Sequence, residues 1–313
     1  MGKKIKSIAG ATLSVFLLSS SVSYGYYSMP KNFIATYFSA GQGQKAYNVA
    51  TNDNPPLKDM NMVIIAFANS INSSNGATLE FGYDAPITRK VVEAIQARTN
   101  PNTNILMSIG APNGVDINNT TFANNAANFL LSHHLQGLDL DIESNEQQIL
   151  PLVKTLYPVF HKDGLLLTVS VAFYPENYRL NSTNISQFYN NVNYVEIQNY
   201  FYGTSLDSYK RSIATWHNTG IPYNKIVGGI SSEDGDVQTP ISQIPLWVYY
   251  SKGYDNCSTQ GTDCKYTKDH QLAGMFSWRL DNDHTPSASK TDIDPTFQGA
   301  DTLYQSMIKP LKG

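Results

Sequence analysis

A (β/α)8 TIM barrel is the fold class that this sequence predicts, and three observations carry the prediction. Eight short apolar or β-branched runs recur along the 313-residue chain. Helix-like stretches lie between them. Several of the runs are apolar on both faces, as strands buried in a parallel sheet are. Repeated strand–helix alternation of this kind implies right-handed crossovers, and eight units close a barrel. The competing architecture, an open doubly wound sheet, ordinarily announces itself with a Gly-rich nucleotide loop, and the sequence contains none.

The elements follow in order. Residues 1–25 read as a signal peptide: Lys3, Lys4 and Lys6 form a basic start, residues 8–22 are apolar and small, and Ser23 and Gly25 suit a signal peptidase, with cleavage after Gly25. The stretch is short for a membrane span, and no other segment is apolar enough to be one. The mature chain, residues 26–313, is therefore expected as a single secreted domain, extracellular or periplasmic, monomeric and free of the membrane. Strands are placed at 33–38, 62–68 (Met-Val-Ile-Ile-Ala-Phe-Ala), 105–109, 137–143, 165–172, 194–200, 226–230 and 272–278. Helices are placed at 88–97, 122–131, 147–161, 185–190, 206–217 and 241–251. The interval from 230 to 272 holds one helix and a polar cysteine loop, which leaves no room for a large inserted domain. Cys257 and Cys264, with six residues between them, can close a small disulfide in an oxidising compartment; free thiols are the alternative.

Composition removes some functions. The net charge of −3 and the absence of a Lys/Arg run beyond the leader exclude a polyanion-binding surface, so nucleic acid is not an expected partner. The 20 Tyr, 13 Phe and three Trp either line a groove for flat, partly apolar ligands or reflect simply a Tyr-rich composition.

The most informative stretch is the fourth strand, Gln-Gly-Leu-Asp-Leu-Asp-Ile-Glu-Ser at 136–144. Its period of two places Asp139, Asp141 and Glu143 on one face and Leu138, Leu140 and Ile142 on the other. In a barrel the first set points at the axis and climbs towards the C-terminal mouth, while the second packs under the helices. Ser144 and Gln147 form a capping-box pattern that ends the strand and opens the next helix. Carboxyls roughly 6–7 Å apart cannot all ionise freely, so at least one pKa should rise, and a protonated carboxyl is what a general acid requires. Glu143, outermost and longest, is the natural proton donor. Asp141 can share its proton or orient a substrate group, and Asp139 supports Asp141. Metal binding by the same acids is geometrically poor, because neighbouring ligands on one extended strand splay apart. His284, next to Asp281, Asn282 and Asp283, reads as a polar loop rather than a metal cluster.

Residues 136–143 resemble the D-G-x-D-x-D-x-E signature on the fourth strand of family 18 glycoside hydrolases, the chitinases and endo-β-N-acetylglucosaminidases, with Gln136 in place of the first Asp. Ser108-Ile-Gly-Ala111 resembles the third-strand S-x-G-G motif, with Ala111 for the second Gly. Gln198-Asn-Tyr200 resembles the sixth-strand Q-x-Y element, and Gly274-Met-Phe-Ser-Trp278 the eighth-strand ending. The resemblance implies an exported retaining glycosidase that hydrolyses β-1,4-linked N-acetylglucosamine, as chitin or chitooligosaccharide, without metal or cofactor. Catalysis would be substrate-assisted, through an oxazolinium ion. It implies that Glu143 protonates the glycosidic oxygen and Asp141 holds the acetamido N–H. Asp139 tunes Asp141, Tyr200 and Gln198 meet the substrate, and Trp278 stacks under the sugar. Tyr37, Phe67 and Tyr202 are candidates for lining subsites, with core packing the alternative for each. An endoglycosidase acting on N-glycans shares the same motif. A catalytically silent sugar-binding lectin is the alternative from another class; such relatives usually lose the terminal Glu or its aspartate partner, and both are present here.

Overall fold

The structure is a computed structural model. It describes residues 25–308 apart from 53–54, 113, 144–145, 173, 233–237 and 284–297. The signal-peptide reading of the leader, Ser144 of the proposed capping box and His284 lie outside the described residues.

Eleven strands form among the described residues: β1 (Phe33–Ser39), β2 (Met62–Ser73), β3 (Gly76–Phe81), β4 (Asn104–Ile109), β5 (Gly137–Leu140), β6 (Leu166–Val171), β7 (Tyr194–Ile197), β8 (Ile226–Ser231), β9 (Tyr254–Asp255), β10 (Lys265–Tyr266) and β11 (Gly274–Trp278). Eight of them pair in parallel in the order β1-β2-β4-β5-β6-β7-β8-β11, and β11 returns to β1 with Phe33 opposite Gly274, which closes the barrel. The helices around it are α1 (Gln44–Asn52), α2 (Ala85–Arg98), α3 (Thr120–Ser132), α4 (Ile149–Lys162), α5 (Ile185–Tyr189), α6 (Leu206–Asn218), α7 (Ile244–Ser251) and α8 (Gln298–Ile308). The (β/α)8 prediction holds, with each of the eight expected strands in the barrel.

The differences have local causes. The second strand runs past residue 68 to Ser73 and turns back antiparallel as β3, with Ala68 opposite Phe81 and Ser73 opposite Gly76. This hairpin is polar on one side only: Ala77, Leu79 and Phe81 are buried while Gly76, Thr78 and Glu80 are not. Helices α1 and α8 were not expected. Helix α2 begins before residue 88 because Asp84 caps it, its carboxylate accepting from the Ile87 N–H at 3.3 Å, with a proline in the first turn. Between β8 and β11 the described residues hold only α7 and the small β9–β10 hairpin, which carries a Cys257–Cys264 disulfide.

The alternation read from the fourth strand sets the layers. Leu138, Leu140 and Ile142 are fully buried in the shell between barrel and helices. Each such side chain contributes roughly 1.5–3 kcal/mol on burial. A second, smaller core fills the barrel interior around Tyr37, Ile64, Leu106, Tyr200 and Phe276. Gly137 opens β5 where β6 approaches so closely that a Cβ would lie 2.5 Å from the Leu166 carbonyl oxygen. Only glycine permits that approach, and it fixes the height at which the acids begin.

The lower, N-terminal ends of the strands share a device. Side-chain amide oxygens of Asn61, Gln136 and Asn193 accept the first free strand N–H of Ile34, Ile105 and Leu167, at 2.9, 2.8 and 2.8 Å. Gln136, the one departure from the fourth-strand signature, therefore sits at the barrel floor, where its Nε2 also donates to the His134 carbonyl at 2.9 Å.

Candidate active site

The ladder of β5 ends at Leu140, but the Asp141 N–H still donates to the Ile109 carbonyl at 2.9 Å, so the chain keeps climbing in extended form. The three acids accordingly rise from floor to mouth. Asp139 is fully buried, Asp141 is 8 % exposed, and Glu143 is exposed at the rim. The helix after it starts at Ile149 behind a short 3-10 turn, later than residue 147, and its N-cap Gln148 makes no side-chain cap bond.

Register explains the lowest tier. Ser108, Asp139 and Thr168 lie opposite one another on β4, β5 and β6. The Ser108 hydroxyl donates to Asp139 Oδ2 at 2.7 Å and that of Thr168 to Oδ1 at 2.8 Å. The Tyr37 hydroxyl reaches Oδ2 from β1 at 3.0 Å, and it lies 2.6 Å from Glu196 Oε2 on β7. One tier higher, Gln198 Nε2 donates to Asp141 Oδ1 at 2.8 Å and lies 3.3 Å from the Ser170 hydroxyl.

Burial pushes the carboxyls of Asp139, Asp141 and Glu196 up from their ordinary range. The rise is largest for Asp141 and Glu196, which also feel the negative charge of Asp139. At Asp139 the hydroxyls of Ser108, Thr168 and Tyr37 oppose the rise. The expected pKa increase therefore falls on the buried members of the cluster, where water is excluded.

Three further candidates of the sequence reading take definite places. Tyr37, a candidate for lining a subsite, is 1 % exposed; its ring lies 5.3 Å from that of Trp278 and its hydroxyl belongs to the acid cluster. Gln198, expected to meet the substrate, is buried and spends its amide on Asp141 and Ser170. Tyr200 is not on a strand: β7 ends at Ile197, and a 3-10 turn over Asn199–Tyr202 carries Tyr200 into the barrel interior, with its ring 6.4 Å from Phe276.

The mouth has two aromatic sides. At the ends of β5, β6 and β7, Glu143, Ala172, Tyr174, Phe201 and Tyr202 line a cavity of about 400 Å³. Tyr174 and Tyr202 meet edge to face at 5.1 Å, and Phe201 is 53 % exposed. Across the barrel, where β2 bulges between Ala66 and Ala68 and where β11 ends, Phe67 and Trp278 are half-buried with ring centroids 6.4 Å apart. The neighbouring Arg279 pairs with Asp281 at 2.6 Å in a buried site, and Asp281 Oδ1 accepts the Ser39 N–H at 2.8 Å, which ties the end of β11 to that of β1 beside Trp278. Among the described residues no group of three or more His, Cys, Asp and Glu is disposed to hold a metal, and no helix is long and apolar enough to cross a membrane.

Sequence reading missed Glu196, Tyr174 and Phe201. For Glu196 the signal was present: Tyr194, Glu196, Gln198 and Tyr200 alternate with Val195 and Ile197 just as the acids of the fourth strand alternate with aliphatics. Tyr174 and Phe201 lie in loops, where no periodicity marks a side chain that faces a cavity.

The arrangement offers one exposed carboxyl beside an aromatic cavity, above a buried carboxyl held by an amide and a deep carboxyl held by three hydroxyls. Such a column can give a proton at the mouth and stabilise positive charge beneath it. The family model "Glycosyl hydrolases family 18" matches residues 33–239. A comparison with the curated proteins gives no significant match. Among solved structures, the chain is similar to the chitinase ChiB from the chitin utilization locus of Flavobacterium johnsoniae, at 16 % identity over 89 % of this chain and 94 % of that one, with a TM-score of 0.64. It is also similar to human YKL-39, described as a pseudo-chitinase with retained chitooligosaccharide binding properties, at 16 % identity over 88 % and 99 %, TM-score 0.64. A third is a mutant catalytic domain of an Ostrinia furnacalis Group II chitinase in complex with a penta-N-acetylated chitooligosaccharide, at 15 % identity over 89 % and 97 %, TM-score 0.59.

Proposed function

The chain belongs to family 18 of the glycosyl hydrolases, and on that premise we propose that it is an exported, active glycosidase that hydrolyses β-1,4-linked N-acetylglucosamine in chitin or its oligomers. The observation that carries the reading is the column Asp139–Asp141–Glu143, graded from fully buried to exposed at the mouth. Glu143 donates its proton to the glycosidic oxygen, and the C1–O bond breaks as the substrate's own acetamido oxygen attacks C1. The resulting oxazolinium ion is cationic; Asp141, directly below Glu143, hydrogen-bonds its N–H and offsets the charge. Glu143, now ionised, takes a proton from water, which opens the ring with net retention. Tyr200 holds the acetamido group in line from the barrel interior, and Trp278 stacks against the apolar face of the sugar. The cavity beside Glu143, walled by Tyr174, Phe201 and Tyr202, receives the neighbouring sugar.

Chitooligosaccharide binding is common to the chitinases and the pseudo-chitinase of the same fold. Cleavage by this chain is supported by its retention of Glu143 and Asp141 in that column. Export is supported by the leader at 1–25 and by a disulfide that persists only where thiols are oxidised. The deciding experiment is product analysis on chitin oligomers beside a high-mannose glycoprotein. Release of shorter N-acetylglucosamine oligomers is the expected result. Release of the glycan alone makes the chain an endo-β-N-acetylglucosaminidase, and binding without any product makes it a lectin.

A further inference from the structure

The reaction above uses Asp139, Asp141 and Glu143 and leaves a fourth carboxyl, Glu196 of β7, unused and fully buried inside the barrel. Its Oε2 and Asp139 Oδ2 both lie within hydrogen-bond distance of the Tyr37 hydroxyl, at 2.6 and 3.0 Å. A phenol carries one hydrogen and donates it once. If both acids were ionised, one of these short contacts would set two oxygens against each other with no hydrogen between them. One of the two acids therefore holds a proton.

The surroundings decide which. Asp139 receives hydrogens from Ser108 and Thr168 in addition to Tyr37, a set that suits an anion. Glu196 has a far poorer shell. Its Oε1 is buried without a hydrogen-bond partner; the Thr168 hydroxyl lies near enough to oppose the rise of its carboxyl, but that hydroxyl has one hydrogen and spends it on Asp139 at 2.8 Å. An orphaned oxygen in a buried site is costly on a carboxylate and much less so on a neutral acid, where it is an ordinary carbonyl oxygen. The titratable groups facing Glu196 are Tyr37 from β1 and Asp139 and Asp141 from β5. Its register partners are Ser170 on β6 and Val227 on β8, so no cation faces it from either neighbouring strand.

We propose that Glu196 is a positioning residue: it stays a neutral carboxylic acid whose hydrogen goes to Tyr37, which commits the Tyr37 hydrogen to Asp139 and fixes the deep negative charge there, beneath Asp141. Burial first, and the charge of Asp139 second, push the Glu196 carboxyl well up, in agreement with that geometry. The consequence for the reaction is that the charge tuning Asp141 is set from β7, two strands from the acid column in one direction round the barrel, and from β1, three strands away in the other.

The inference rests on the glycosidase reading for its kinetic arm alone. A neutral buried Glu196 takes up a proton on folding at any pH where a free glutamate is ionised, so the native state loses stability as pH rises through that range. Thermal unfolding of the full chain between about pH 5 and pH 8, where a free glutamate is ionised, should show Glu196→Gln losing several degrees less than wild type. The infrared carbonyl band of a neutral carboxylic acid should weaken in the same variant. Parallel unfolding curves with an undiminished band would place the proton on Asp139 and overturn the proposal. In the kinetic arm, Gln still donates to Tyr37 and Leu does not. Glu196→Gln should keep kcat within about threefold, while Glu196→Leu should lose roughly tenfold or more, the size of one charge-linked hydrogen bond, and shift the acid limb of the pH profile. Equal damage from both variants would also overturn it. If wild type never cleaves, the glycosidase reading falls while the unfolding and infrared measurements still decide Glu196.

Discussion

The two ends of the fourth strand carry polar side chains under opposite conditions. At the floor, Gln136 has both amide groups engaged by backbone, on Ile105 and His134, and Asn61 and Asn193 repeat its role ahead of β2 and β7. Towards the mouth the carboxyls are unevenly served: Asp139 accepts from three hydroxyls and Asp141 from one amide, while Glu196, facing them from β7, shares the Tyr37 phenol with Asp139 and leaves its Oε1 without a partner. Satisfied polar groups hold a structure in place; under-satisfied ones keep a protonation state away from its value in water, which is the property that acid–base chemistry requires. The same strand thus serves stability at one end and chemistry at the other.

Substitutions at the two ends should separate cleanly. The largest effect is expected at the mouth. Glu143→Gln should lower kcat by about 10²–10⁴-fold or more, the span ascribed to a general acid, with oligosaccharide affinity and thermal stability close to wild type. A variant that cleaves as fast as wild type would move the proton donor elsewhere. A second test is the pH dependence of stability. Asp139, Asp141 and Glu196 have raised values in the folded state, so the folded protein binds more protons than the unfolded chain above the ordinary carboxylate range. Their contribution is fully present below about pH 4, and it is lost as pH climbs through the raised values, the reverse of the usual salt-bridged carboxylate. Denaturant midpoints measured from mildly acidic to mildly alkaline pH should therefore fall; a rise across that window would mean that these acids are ionised in the fold.

The floor should answer with stability alone. Gln136→Leu leaves the buried Ile105 N–H without an acceptor and should cost about 1–3 kcal/mol with kcat unchanged; a loss of activity at unaltered stability would show that the floor reaches the site. The smallest effect is expected from the Cys257–Cys264 loop, which joins α7 to β11 below the barrel. Replacing both cysteines by serine should cost about 2 kcal/mol in the chain-entropy view of so short a loop, read as a modest drop in melting temperature with product formation intact.

Much of this was legible in the chain itself. Eight apolar runs and their spacing determined the barrel, and a period of two determined that Asp139, Asp141 and Glu143 share the face opposite Leu138, Leu140 and Ile142, because side-chain direction on a strand follows from local backbone geometry. The element edges were less legible: the β2–β3 hairpin, α1 and the turn bearing Tyr200 depend on capping and on what the neighbouring strands cover. What the sequence could not determine is which polar groups meet. Tyr37 and Glu196 are separated by 159 residues, and no pattern near either one points to the other. Closure of the barrel brings β1 and β7 to the same interior tier, where a hydrogen bond depends on distance through space. The sequence decided which residues face inward, and the tertiary structure decided which of them share a proton.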